Sequence, residues 1–269
     1  MNTKEREFST TEIVRETYAQ VARESSGCGC SFADCMDTTG FAKSLGYSDE
    51  EIELIPGEAN LGLSCGNPTA VTGLKAGETV LDLGSGAGFD CFLAAARVGP
   101  EGKVIGVDMT PEMIEKSRMI GKRDGFKNVE FRLGEIESLP VADNSIDVVI
   151  SNCVINLSAD KKRVFGEIAR VLKPGGRVSI SDVALKKDLP ETLKDSPHAY
   201  ACCIAGAVRL EQYRELVEKA GLKDIRFVAR EIEIPETNDP ISRIVIDSLG
   251  PGETIGDYVV SVNVEAAKF

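Results

Sequence analysis

The sequence is poor in several things that would narrow its chemistry. It has one histidine, His198, and no tryptophan. A histidine-rich metal site is therefore excluded, and a histidine general base has one candidate. No apolar run reaches the ~20 residues of a membrane-spanning helix, and the charged opening MNTKEREFS does not read as a signal peptide. A cytoplasmic protein without membrane contact is the expectation. There is no Lys/Arg block, and the net charge is −12, so the basic face that a phosphate backbone requires is missing. Nucleic acid is not an expected partner. Repeats and low-complexity tracts are also absent. What the chain does have is eight cysteines: Cys28, Cys30, Cys35, Cys65, Cys91, Cys153, Cys202 and Cys203. In a chain of 269 residues without secretory features, clustered thiols point to metal, metalloid or redox chemistry rather than a disulfide scaffold.

The hydrophobic pattern divides the chain. Residues 9–25 read as an amphipathic helix, with Ser9 and Glu12 as a capping box and Val14, Tyr18 and Val21 on one face. Its expected role is packing rather than catalysis. A Cys/Gly/Ser stretch, a short helix at 48–54 and the loop PGEANLGLSCGNP follow. Residues 1–70 thus form an N-terminal extension with little core material of its own. From residue 75 strands and helices alternate. Strands are expected at 78–83, 103–108, 128–134, 146–152 and 177–183, and helices at 89–98, 111–125, 160–172 and 209–220. Two more strands are drawn near 225–234 and 257–267. This alternation predicts a Rossmann-like, doubly wound, mostly parallel α/β sheet over 71–234. The segment 235–269 is expected to complete it.

The first strand-to-helix turn reads Asp82-Leu83-Gly84-Ser85-Gly86-Ala87-Gly88-Phe89. Its glycines run G-x-G-x-G. A dinucleotide fingerprint would want its third glycine where Phe89 stands. With Asp82 in front, the turn resembles motif I of class I methyltransferases. Asp108 ends the second strand, placed to accept hydrogen bonds from ribose hydroxyls. A helix cap before Pro111 is its plainer reading. Gly134-Glu135-Ile136 stands where that family holds adenine, Asn152 where it holds the transferring methyl, and Met109 is a candidate cover for adenine. LKPGG at 172–176 is a further family feature. The resemblance implies S-adenosylmethionine as cofactor, held by Asp82, Gly84, Ser85, Gly86, Gly88, Asp108, Met109, Gly134, Glu135, Ile136 and Asn152.

The segments ANLGLSCGNP, VLDLGSGAGFD, ISNCVINLS and CIAGA, in that order over about residues 10–230, resemble the arsenite methyltransferase family. The resemblance implies that Cys153 and Cys203 bind As(III) and that Cys65 is a third arsenic-binding thiol. It also implies a disulfide between Cys65 and an upstream cysteine during turnover. Cys28, Cys30 and Cys35 all stay open as that partner, with Cys30 and Cys35 slightly favoured. Soft thiolates suit a soft, thiophilic centre. Arsenite or its thiol conjugates would be the substrate. Its lone pair would attack the methyl in line, at a near-attack distance of ~3–3.5 Å, without a general base. A thioredoxin- or glutathione-type donor would restore the thiols.

The residues alone also admit competing readings. Cys28, Cys30, Cys35 and Cys65 supply four thiolates for a structural zinc, though C-x-C-x₄-C is no standard finger. A methyltransferase acting on a quinone-like or other organic carbon would leave the cysteines incidental. A non-enzymatic thiol-based metalloid or zinc binder would transfer no methyl. Cys91 reads as core filling, Cys202 as a departure from a single-cysteine motif, and His198 as a surface residue. Asn156 and Ser158 read as caps of the following helix.

Overall fold

The computed structural model describes residues 10–24, 37–231, 248–250 and 252–269. Ser9, half of the expected capping box, lies outside them, as do Cys28, Cys30 and Cys35. The chain begins with α1 (Thr10–Glu24), α2 (Thr38–Ser44), α3 (Asp49–Glu53) and α4 (Pro68–Thr72). It then alternates through β1 (Thr79–Leu83), α5 (Phe89–Val98), β2 (Lys103–Asp108), α6 (Pro111–Arg123) and β3 (Val129–Leu133). β4 (Ile146–Asn152), α7 (Lys161–Val171) and β5 (Leu172–Leu185) continue the alternation. Two short helices, α8 (Glu191–Lys194) and α9 (Pro197–Ala201), precede α10 (Leu210–Lys219), β6 (Lys223–Arg230) and β7 (Val259–Ala267).

The seven strands form one sheet in the order β3-β2-β1-β4-β5-β7-β6. β1 to β5 are parallel, and β7 runs antiparallel between β5 and β6. Strands covered on both faces read as continuous apolar runs because neither face meets water. Successive residues of β1 show this: Leu81 and Leu83 enter one core layer with Phe165, Ile168 and Tyr213, while Val80 enters the opposite layer with Phe92 and Leu93. The strand order reverses between β1 and β4, which opens a crevice at their carboxyl ends.

LKPGG does not end a helix in free loop, as its residues suggest. Leu172 already pairs with Ile146, and Arg177 pairs with Val148, so the intervening residues bulge out of the ladder. Gly175, at φ +83, makes that bulge possible. Among the described residues no helix is long and apolar enough to cross a membrane.

Candidate functional site

The glycine turn after β1 is shaped by left-handed backbone and, at Gly84 and Gly88, by contacts that leave no room for a side chain. Gly84 has φ +66, and a Cβ there would sit 2.3 Å from Val154 Cγ2. Gly86, at φ +51, meets nothing and leaves its backbone open. Its N–H donates to Asp108 Oδ2 at 2.9 Å, while the other oxygen of Asp108 accepts from Thr110 N–H at 2.8 Å. Asp108 therefore braces both lips of the crevice and keeps spare lone pairs for a ligand. Ser85 Oγ is buried with no hydrogen-bond partner among the described residues. Gly88 differs from the expectation. A Cβ on it would lie 2.8 Å from both Phe131 and Phe92, so it serves the packing of α5 rather than the cleft.

A cleft of about 330 Å³ opens above this turn, and its lining includes Asp82, Met109, Gly134, Glu135, Ile136 and Asn152. α1 supplies part of the opposite wall through Val14 and Tyr18. That helix does more than the packing expected of it. Glu135 faces Arg15 of α1 at 3.2 Å, and Tyr18 Oη donates to the Ala201 carbonyl at 3.3 Å. The carboxylates under the cleft are desolvated. Burial lifts Asp82 well above the usual carboxylate range, and neighbouring Asp90 adds to this. Burial also raises Asp90, to about 6, against hydrogen bonds from Asn152 and Tyr47 that pull it back. Asp108 is raised by burial and held down by the backbone N–H groups of Thr110 and Gly86.

The three expected thiols meet beside the cleft. Cys153 follows the end of β4, lines the cleft, and donates its N–H to the Ser181 carbonyl at 2.8 Å. Cys203 follows α9, and its Sγ donates to the Cys153 carbonyl at 2.8 Å. Both residues have left-handed backbone, φ +56 and φ +62. That conformation is costly for a residue with a Cβ and is found where surrounding structure imposes it, often at functional sites. The other two non-glycine cases among the described residues are Asn144 and Asp224, types that tolerate it.

The structure bonds Cys65 to Cys153, with Cα atoms 5.7 Å apart, while the upstream candidates Cys28, Cys30 and Cys35 lie outside the described residues. The reason is local. The 65–66 loop is hydrogen-bonded across the end of β4, with the Cys65 N–H donating to Asn152 Oδ1 at 2.9 Å. In this oxidised state no group of three or more His, Cys, Asp or Glu side chains among the described residues has the geometry of a metal site. The four-thiolate zinc reading rests on residues outside the described ones, apart from Cys65, which is engaged with Cys153.

Other positions depart from their bland readings. Cys91 is fully buried, and its thiol also donates to Asp82 Oδ2 at 3.2 Å. Cys202 is disulfide-bonded rather than a spare thiol. Asn156 is no helix cap: it is buried and donates to Asp182 Oδ1 at 2.9 Å and to the Val183 carbonyl. Ser158 accepts from Asp160 N–H at 3.1 Å and bonds Glu137, so it does shape the approach to α7. His198 is exposed on α9.

Sequence reasoning missed Tyr47, Asp90 and Asp182. Burial raises Asp182 to about 7, opposed by the Val183 N–H, the Lys161 charge and the Tyr213 hydroxyl. The available signal was an acid inside an otherwise apolar element, FDCFLAAA for Asp90 and SISDVAL for Asp182.

Comparisons with known proteins accord with this geometry. A family model described as a methyltransferase domain matches residues 74–236. The arsenite methyltransferase of Halobacterium salinarum is 45% identical over 273 residues, covering 96% of this chain and 66% of its own length. That of Aquipseudomonas alcaligenes is 45% identical over 156 residues, 55% of this chain and 45% of its own. The chain thus spans just under two thirds of the first relative and less than half of the second. Among solved structures, an arsenic(III) S-adenosylmethionine methyltransferase from Chlamydomonas reinhardtii superimposes with a TM-score of 0.64 at 34% identity, over 85% of this chain and 73% of that one.

Proposed function

The chain belongs to the methyltransferase domain family, and from that premise we propose that it is an S-adenosylmethionine-dependent arsenite methyltransferase acting on thiol-bound As(III). The observation that carries the acceptor is the convergence of Cys65, Cys153 and Cys203. They come from three distant segments, and two of them hold left-handed backbone at the cleft's edge. An organic carbon acceptor gives no reason for that convergence. The acceptor named for the Halobacterium and Aquipseudomonas relatives supports the same reading.

The cleft fits the cofactor by its donor set. The open backbone at Gly86, the partnerless Ser85 Oγ and the strand-end carboxylate of Asp108 are arranged for a nucleoside with hydroxyls to donate. Asp108 would accept from the ribose, Gly84 and Gly86 would let backbone approach the ligand, and Met109, Gly134, Glu135 and Ile136 would flank the base. S-adenosylmethionine, when bound, supplies an electrophilic methyl to the lone pair of thiol-held arsenic. Asp90 lines the cleft, and its carboxylate, held by Asn152 and Tyr47, favours a cationic ligand.

The thiols do the remaining work. Reduction of Cys65–Cys153 frees two sulfurs next to Cys203. Each then displaces a hydroxyl of arsenite as water, and soft sulfur holds the soft centre. Methylation formally oxidises arsenic, and protein thiols return it to the trivalent state as Cys65 and Cys153 close. A thioredoxin- or glutathione-type donor completes the cycle, which favours the reducing cytoplasm. The test is transfer of labelled methyl to arsenite. With a dithiol present, methylated arsenic is expected; without it, the disulfide form should make none. Cofactor binding with no arsenic product under reducing conditions would remove the acceptor assignment.

A further inference from the structure

Asn152 stands where the family resemblance puts a cofactor contact, but its carboxamide is committed elsewhere. Oδ1 accepts from Cys65 N–H at 2.9 Å. Nδ2 lies 2.8 Å from the Gly66 carbonyl, 3.0 Å from Asp90 Oδ2 and 3.2 Å from Tyr47 Oη. A carboxamide has two N–H donors, so three acceptors already share them. Tyr47 Oη in turn donates to Asp90 Oδ1 at 2.7 Å, with the Gly66 carbonyl also 3.0 Å away. Tyr47 and Asp90 are 2% and 5% exposed, so water cannot readily replace a bond lost here.

The loop that this triangle grips is seated at its other contacts too. A Cβ on Gly66 would lie 2.9 Å from Ser181 Cβ, so the backbone rests directly on β5. Asn67 Nδ2 reaches the Gly46 carbonyl and Glu51 Oε2, both at 3.3 Å, and the Pro68 carbonyl accepts from Ser179 Oγ at 3.1 Å. Thus Cys-Gly-Asn-Pro is a docking segment: Asn152 and Ser261 bond Cys65 itself, and the Asn152–Tyr47–Asp90 triangle holds the adjoining Gly66 carbonyl.

We infer that Asn152, Tyr47 and Asp90 are positioning residues that hold Cys65 within bonding reach of Cys153. The inference rests on the reading of Cys65 as a working thiol and extends it to the groups that hold its loop in place. Fixing two thiols side by side raises their effective concentration and favours the closed disulfide. The triangle therefore sets how readily the third thiol is oxidised and reset.

The experiment uses the full chain in glutathione redox buffers, without arsenic. Two glutathiones give two electrons and two protons to the Cys65–Cys153 bond, leaving two protein thiols and one glutathione disulfide. Differential alkylation and peptide mapping read the oxidised fraction of this pair. Tyr47→Phe, which keeps the ring edge against Phe89 at 5.0 Å, is compared with Asn152→Ala, alongside melting temperature and S-adenosylhomocysteine affinity. In Tyr47→Phe the closing constant is expected to fall about tenfold, about 30 mV for this two-electron couple, with S-adenosylhomocysteine affinity close to wild type. Asn152→Ala should fall further; if it does not fold, Tyr47→Phe carries the test alone. An unchanged closing constant in Tyr47→Phe overturns the inference, whatever happens to melting. So does a large loss of S-adenosylhomocysteine affinity without a redox change, which would assign the triangle to the cofactor. If the redox shift occurs in a protein that does not methylate arsenite, the functional proposal fails and the positioning role stands.

Discussion

Asp108 and Asp182 are both buried carboxylates at strand positions, yet their surroundings give them different work. Asp108 faces the cleft, and although burial raises it, two backbone N–H groups oppose that rise and orient the carboxylate for a ligand. Asp108→Asn should weaken cofactor binding by about 1.5–3 kcal/mol, the range of a hydrogen bond to a charged group, measured by calorimetric titration. Asp182 is shut in with Asn156, Tyr213 and the partly buried ammonium of Lys161, and burial raises it to about 7. The native state therefore holds a proton that the unfolded chain releases near pH 4. This contribution to stability is complete below about pH 4 and is lost as pH rises through about 7. Urea unfolding of wild type and Asp182→Asn tests the sign. The wild-type advantage should shrink steadily between those limits and level off above them. An advantage that grows with pH would mean that the carboxylate is stabilised as an anion.

Among the elements, α1 is the one whose role changes most between sequence and structure. Its amphipathic period is plain, but periodicity cannot show that the buried face meets a cleft as well as a core. Val14 and Tyr18 line that cleft, and the helix is tied down by Arg23 to Glu112 at 2.5 Å and by Lys116 to the Ala22 carbonyl at 3.3 Å. Removing residues 1–24 should raise the dissociation constant for S-adenosylhomocysteine by about tenfold or more, through about 1.4 kcal/mol of lost contact. Melting should remain cooperative, because the sheet and its two core layers do not include α1. The parallel strands and α5 were legible because their apolar runs and Gly/Pro boundaries are local signals. β5 ran longer than expected because pairing with Ile146 draws the KPGG turn into the ladder. The Cys65–Cys153 bond was not legible. It joins residues 88 apart, and its cause is a carboxamide on β4 gripping a loop from the extension.

At the scale of the molecule, one crevice brings together pieces that are distant in the chain, from α1 to the start of α7. The glycine turn and strand ends are the scaffold, α1 and the 59–64 loop form walls, and the three neighbouring thiols come from the extension, from just after β4 and from the turn after α9. The cofactor half of this site was readable from the turn and from Asp108. The acceptor half rests on family resemblance, and the contact of Cys203 Sγ with the Cys153 carbonyl had no local signal in the sequence. On the proposed function, arsenic is held by Cys153 and Cys203 beside a cleft that binds the cofactor without needing either sulfur. The direct measurement is methylarsenic formation under reducing conditions by wild type, Cys153→Ser and Cys203→Ser, with S-adenosylhomocysteine affinity taken on the same samples. Wild type should make product, and both variants should lose it while still binding S-adenosylhomocysteine. A variant lacking either sulfur that still methylates arsenite at the wild-type rate would contradict the account.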